Sequence, residues 1–235
     1  MRGRIAVALP ALGLLLAGCG GAASSSAAQP AESPAATTTG APSYSADQLR
    51  QALLTQAPGY QPAGPADAGE YGSLRSIQNF NQLQGQVRLD KPQCAAVSQS
   101  FASVPEVRTA PAAIMTFARN DGQTLTETLM SVPTAIADRQ VNQRAPAGCR
   151  TFRAQIAGQW SSHQVTEATG TRIGEASRTV GVVTTSGGVT VRTWYVVFRS
   201  RSYLATVMLH GVAITRQQIE DFARRSYQEA ERVLP

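Results

Sequence analysis

Histidine, lysine and cysteine are scarce in this chain, and each scarcity removes a class of function. Only two of the 235 residues are histidine, and His163 and His210 lack the short spacings from which zinc sites are built. Lys91 is the one lysine among 21 basic residues, and the arginines are scattered rather than gathered on one stripe, so nucleic acid is not an expected partner. No Gly-x-Ser-x-Gly elbow occurs, and Gly187-Gly188-Val189 falls inside a hairpin pattern rather than between a strand and a helix, where a phosphate loop belongs. The remaining polar groups have plain explanations. Ser200 and Ser202 sit in a turn without an evident base, and His163 and Glu167 share one strand face that reads as solvated. His210 ends a strand, and Glu220-Asp221 suits the dipole at a helix start. No catalytic residue, metal site or cofactor is therefore assigned. After Leu16 no apolar run approaches the roughly 20 residues that a membrane-spanning helix needs.

What is present begins at the N-terminus. Met1-Arg2-Gly3-Arg4 precedes a short apolar run, and Leu16-Ala17-Gly18-Cys19 closes it with small residues before a cysteine. This stretch resembles the bacterial lipobox, which implies export, removal of residues 1–18 as a lipoprotein signal peptide, and a diacylglyceryl thioether on Cys19. Two or three acyl chains of the palmitate type hold a protein stably on a membrane, at about 0.8 kcal/mol for each buried methylene. The segment 19–43 is rich in Gly, Ala, Ser, Thr and Pro with almost no charge. It reads as a disordered tether spanning roughly 25 to 30 Å. Residues 44–235 are then of a length that usually makes one domain. Loss of Arg2 and Arg4 lowers the formal charge from +6 to about +4.

Cys94 and Cys149 are the other two cysteines, an even pair in a chain expected to mature outside the reducing cytoplasm. A disulfide between them is expected.

Periodicity then suggests an α+β fold. Ser45-Ala46-Asp47-Gln48 is a capping box, and Leu49, Leu53 and Leu54 stripe a helix over 45–57. Residues 60–91 read as irregular, with a helical turn around 73–83. Pro92 opens a second short helix carrying Cys94, Val97 and Phe101 inward. Ala113, Met115 and Phe117 share a face, Asn120-Asp121-Gly122-Gln123 turns the chain, and Leu125, Glu127, Leu129 and Ser131 alternate with threonines, which predicts a β-hairpin. Pro133 starts a helix on which Ile136, Ala137 and Val141 fall on one side, and Pro146-Ala147-Gly148 ends it. Strands follow at roughly 150–158, 161–169, 178–186, 189–199 and 202–210, linked as an antiparallel meander. Within them Trp194 to Phe198 is apolar on both faces, as suits a covered central strand. A second capping box, Thr215-Arg216-Gln217-Gln218, opens a long C-terminal helix with Ile219, Phe222, Ala223, Tyr227 and Ala230 at helical spacing. The expectation is a twisted antiparallel sheet of about six or seven strands with helices packed over it.

This order, with Pro92-Gln93-Cys94, Gly148-Cys149, the hairpin from Trp194 to Leu209 and the helix ending at Leu234, resembles mycobacterial and related envelope lipoproteins. Their globular part is akin to the PknH-type extracellular sensor domain of receptor serine/threonine kinases. The resemblance spans roughly residues 45–234, with one cysteine pair here where the kinase domains have two. The arginine-, alanine- and glycine-rich composition also looks like that of a GC-rich actinobacterial genome. The resemblance implies a noncatalytic envelope domain with a cleft for a small ligand.

Three side chains are candidate ligand contacts. Glu127, among threonines, is the acidic residue that could face a cleft. Trp160, at a strand end, offers a stacking platform for a wall glycan. Arg192 could meet an anionic group. The leading expectation is a binding or sensing module, lipid-anchored at Cys19 on the extracytoplasmic face of the cell membrane, that recognises a small envelope ligand or a protein partner. A second is a lipid carrier with a dry hole between the sheet and the terminal helix. An enzyme ranks third.

Overall fold

The computed structural model describes residues 43–95, 101 and 104–234. The expected signal peptide, Cys19, the tether up to residue 42, and Val97 lie outside the described residues.

Ser45 caps the first helix, α1 (Ala46–Gln51), through a reciprocal pair of bonds. The Gln48 backbone N–H donates to Ser45 Oγ at 3.2 Å, and the Ser45 N–H donates to Gln48 Oε1 at 2.8 Å. The helix stops well short of residue 57. At Leu54 the backbone N–H donates instead to the carboxylate of Glu127, 2.7 Å away, so a contact 73 residues distant replaces the next helical bond. Leu53 and Leu54 are still buried, but outside the helix.

The stretch expected to be irregular is largely structured. It holds β1 (Gln61–Pro62), β2 (Asp67–Glu70), a 3₁₀ turn over Tyr71–Ser73, α2 (Arg75–Gln84) and β3 (Arg88–Leu89). Asp67 Oδ2 accepts the Arg75 N–H at 3.0 Å, satisfying one free donor at the start of α2. Pro92 opens a 3₁₀ turn, Pro92–Cys94, and most of the helix expected after it falls outside the described residues. Then come α3 (Pro105–Arg108) and the expected hairpin, β4 (Pro111–Ala118) and β5 (Thr124–Ser131), whose turn places Gly122 at φ +82°. After α4 (Thr134–Asn142) the meander follows as β6 (Thr151–Ile156), β7 (Gln159–Ala168), β8 (Ala176–Ser186), β9 (Val189–Ser200) and β10 (Tyr203–Gly211). The terminal helix α5 (Arg216–Val233) carries the second capping box, Thr215 with Gln218.

All strands join one antiparallel sheet in the order β1-β4-β5-β10-β9-β8-β7-β6-β3, with β2 pairing β4 beside β1. The α+β class is as expected. Among the described residues the ten strands exceed six or seven because β1, β2 and β3, each of two to four residues, extend its edges.

The sheet has two different faces. On the first, Leu125, Leu129, Val196, Phe198, Tyr203 and Leu209 bury against α1 and α5, whose Leu49, Ile219, Ala223 and Ala230 are fully covered. Trp194 packs partly buried on this face over Gly181, where a Cβ would come within 2.7 Å of the indole ring. On the second face, Ala112, Ile114, Met130, Val197 and Leu204 bury against α2, α3 and α4. Arg199 pins α4 there by a 2.5 Å bond to Asp138. Among the described residues no helix is long and apolar enough to cross a membrane.

Candidate functional site

Among the described residues the second face is covered by helices only in part, and a cavity of about 520 Å³ opens over the rest of it. That size lies within the range of small-molecule sites. Period-two alternation puts every second residue of β4 to β10 toward it. Thr126 and Thr128 come from β5, Tyr195 and Val197 from β9, Val180 and Val182 from β8. Across from them stand Ile77 and Phe80 of α2 and the segment with Val87 and Leu89. Phe80 and Ile156 are lining residues that also reach solvent, so they mark the mouth.

The disulfide holds one wall in place. Cys94 and Cys149 are bonded, with Cα atoms 5.4 Å apart and both side chains fully buried beside Phe152 and Val165. Lys91, three residues before Cys94, donates to the carbonyls of Gly148 at 3.0 Å and Thr151 at 2.6 Å. Asp90 accepts the Arg153 N–H at 2.8 Å. The segment bearing Val87 and Leu89 is thereby tied to β6.

Polar groups gather toward β7 and β8. His163 stacks on Phe152 at 4.9 Å, with Nε2 2.9 Å from Ser161 Oγ and Nδ1 3.1 Å from Thr184 Oγ1. Burial pushes its pKa down, which favours the neutral ring. Ser161 and His163 form a hydroxyl–imidazole pair, but the other ring nitrogen meets a threonine and not a carboxylate. Glu167 lies four residues along the same strand, about 13 Å away by strand rise. It is held by Arg144 Nε at 3.3 Å and by the Ala145 N–H at 2.9 Å. The pair thus lacks the orienting carboxylate of a hydrolase triad, and its geometry suits hydrogen bonding to a bound molecule. Among the described residues no group of three metal-ligating side chains is found.

Arg178 is the unusual cation. One Nη donates to the Gln143 carbonyl, while Nε is buried without a partner, and no carboxylate comes within 4 Å among the described residues. Burial pushes its pKa down, and the charge of Arg144 adds to that. The hydroxyl of Thr206 is also buried without a partner.

None of the three candidate ligand contacts lines the cavity. Glu127 is fully buried on the opposite face, in phase with Leu125 and Leu129, and binds Leu54 and Ser226. Trp160 pairs with Gln155 on the outer side of the β6–β7 hairpin, 39% exposed, with the Arg153 guanidinium 4.7 Å over its ring. Arg192 donates to the Val212 carbonyl at 3.1 Å. The space between the sheet and α5, where a carrier's hole was expected, is filled by the first core. Arg178 and the lining threonines escaped the sequence reading, and His163, expected on a solvated face, is instead half-buried in the cavity wall. Their signal was the phase of each strand: a polar residue in step with apolar ones.

No protein-family model matches the chain, and no curated protein matches it significantly in sequence. Among solved structures it is similar to the extracellular domain of PknH from Mycobacterium tuberculosis, with a TM-score of 0.57 at 13% identity, over 82% of this chain and 100% of that one. An uncharacterised protein from Mycobacterium smegmatis matches with a TM-score of 0.46 at 14% identity, over 80% and 97% of the two chains. The PknH-type likeness expected from the sequence is present in the fold.

Proposed function

We propose that residues 44–235 form a noncatalytic, extracytoplasmic binding module, tethered to the cell membrane through lipid on Cys19, whose small ligand enters the cavity on the second face of the sheet. The cavity is the observation that carries this reading: about 520 Å³, mostly apolar, walled by a disulfide-tied segment and left open where the helices end. The kinase extracellular domain of similar fold supports the address. A carrier of apolar ligands is the second reading, favoured by the same lining.

The cavity is tested on the full chain, exported and purified in detergent, with the uncharged dye Nile red. Val182→Trp, inside the cavity, should weaken dye binding at least tenfold, while Val189→Trp, on an exposed hairpin, should leave it unchanged. Equal weakening by both, or by neither, overturns the cavity reading, and a protein partner then becomes the better ligand. The anchor is tested separately. Cys19→Ala should abolish incorporation of labelled palmitate and move the protein from the membrane fraction to the medium, and retention on the membrane would count against a lipid anchor.

A further inference from the structure

Resting on the cavity reading, we propose that the ligand is an amphipathic anion, a single apolar chain ending in a carboxylate or phosphate, whose headgroup binds Arg178. A guanidinium removed from water is costly unless an anion meets it. Here Glu167, the nearest candidate, is already engaged by Arg144 and by the Ala145 N–H. Arg178 gives one Nη to the Gln143 carbonyl and leaves the edge formed by Nε and the other Nη without a protein acceptor among the described residues. Two donors on one planar edge match the paired oxygens of a carboxylate or phosphate. Arg144 stands beside it and lines the same cavity, so two guanidiniums face one carboxylate at this end.

Elsewhere the lining is largely apolar, with Ile77, Phe80, Val87, Leu89, Ile156 and Val182 beside the uncharged polar side chains of Ser161, His163 and Thr184. The hydroxyl of Thr206, buried and unpartnered, and that of Tyr195, which makes no hydrogen bond among the described residues, also lie along the floor. A cavity with its cations gathered in one place and a largely apolar lining elsewhere suits a molecule with one charged group and an apolar chain. A uniformly polar sugar would leave the apolar walls unmatched, and a neutral alkane would leave the cation unmet.

The experiment competes three ligands of equal chain length, laurate, dodecyl phosphate and dodecanol, against Nile red on the full chain. Laurate or dodecyl phosphate should displace the dye at concentrations at least tenfold lower than dodecanol, a preference expected for a charge-assisted bond. The stronger of the two anions identifies the headgroup. Arg178→Met should bring that preference close to one while Nile red still binds, and Arg178→Lys should retain part of it. Equal displacement by anions and alcohol on the unaltered protein overturns the anion proposal but leaves the cavity reading intact. Failure of Nile red to bind at all overturns the cavity reading itself. Because the first comparison uses the unaltered chain, a variant that fails to fold does not rescue the proposal.

Discussion

Removing the Cys94–Cys149 disulfide, as Cys94→Ala/Cys149→Ala, should lower the stability of the folded chain by about 4 kcal/mol, the cost expected from chain entropy for a loop of this length. The bond closes 55 residues of separation, so the unfolded chain gains most of the freedom that the cross-link denied it. For a domain of this size the change corresponds to a fall in melting temperature of about 10 °C. Alanine is the right replacement, because both sulfurs are fully buried among apolar neighbours and serine would bury an unmatched hydroxyl. The effect should reach the cavity. The segment with Val87 and Leu89 would then be held by its two-residue pairing with β6 and by the exposed hydrogen bonds of Lys91 and Asp90. Guanidinium unfolding with and without dithiothreitol checks the claim. The unaltered protein should fall to the variant's midpoint once reduced, and the variant should not respond. An unchanged midpoint in the variant would mean that the loop is already constrained without the bond.

The parts of the fold that were readable in the sequence are those set by neighbours along the chain. Both capping boxes form as read because a side chain and a backbone N–H three residues apart decide them. The hairpin at Asp121-Gly122 and the five strands after Cys149 fall within a few residues of expectation for the same reason. What escaped depends on distant partners. Helix α1 ends early because Glu127 takes the Leu54 N–H. The short strands β1, β2 and β3 carry no alternation of their own and exist because β4 and β6 offer free edges. The cavity is harder still, since its lining is one residue in two from eight strands, together with α2. Its chemistry was visible only as phase. In β8, Arg178 keeps step with Val180 and Val182, and in β7, His163 keeps step with Val165. Glu127 was misjudged by composition, among threonines, when its step with Leu125 and Leu129 placed it inside.

That same glutamate should make stability fall as pH rises, the reverse of an ordinary surface carboxylate. It accepts bonds from the Leu54 N–H at 2.7 Å and Ser226 Oγ at 2.5 Å, joining β5 to the segment that follows α1 and to α5. Full burial pushes its pKa up to about 7 against 4.5 in the unfolded chain, and the two hydrogen bonds only partly offset this. Between those values the folded protein holds a proton that the unfolded chain has released. The group's stabilising contribution is therefore complete below pH 4.5 and is lost as pH rises through about 7, by about 3 kcal/mol in all. Glu127→Gln copies the protonated form, because the amide oxygen can accept from Leu54 while the amide nitrogen donates to Ser226. The variant should match the unaltered protein near pH 4.5 and exceed it by about 3 kcal/mol at pH 8. The comparison must be a difference, since His163 works the other way. Its lowered pKa makes the folded state favour the neutral ring, so its contribution is present above pH 6.5 and fades as pH falls. Urea midpoints of both proteins from pH 4.5 to 8 cancel that background, and two parallel curves would show that Glu127 does not titrate differently in the folded and unfolded chains. A diverging pair would instead establish that the contact joining α5 and the segment after α1 to the sheet is weakest when its carboxylate is charged, on the face opposite the cavity.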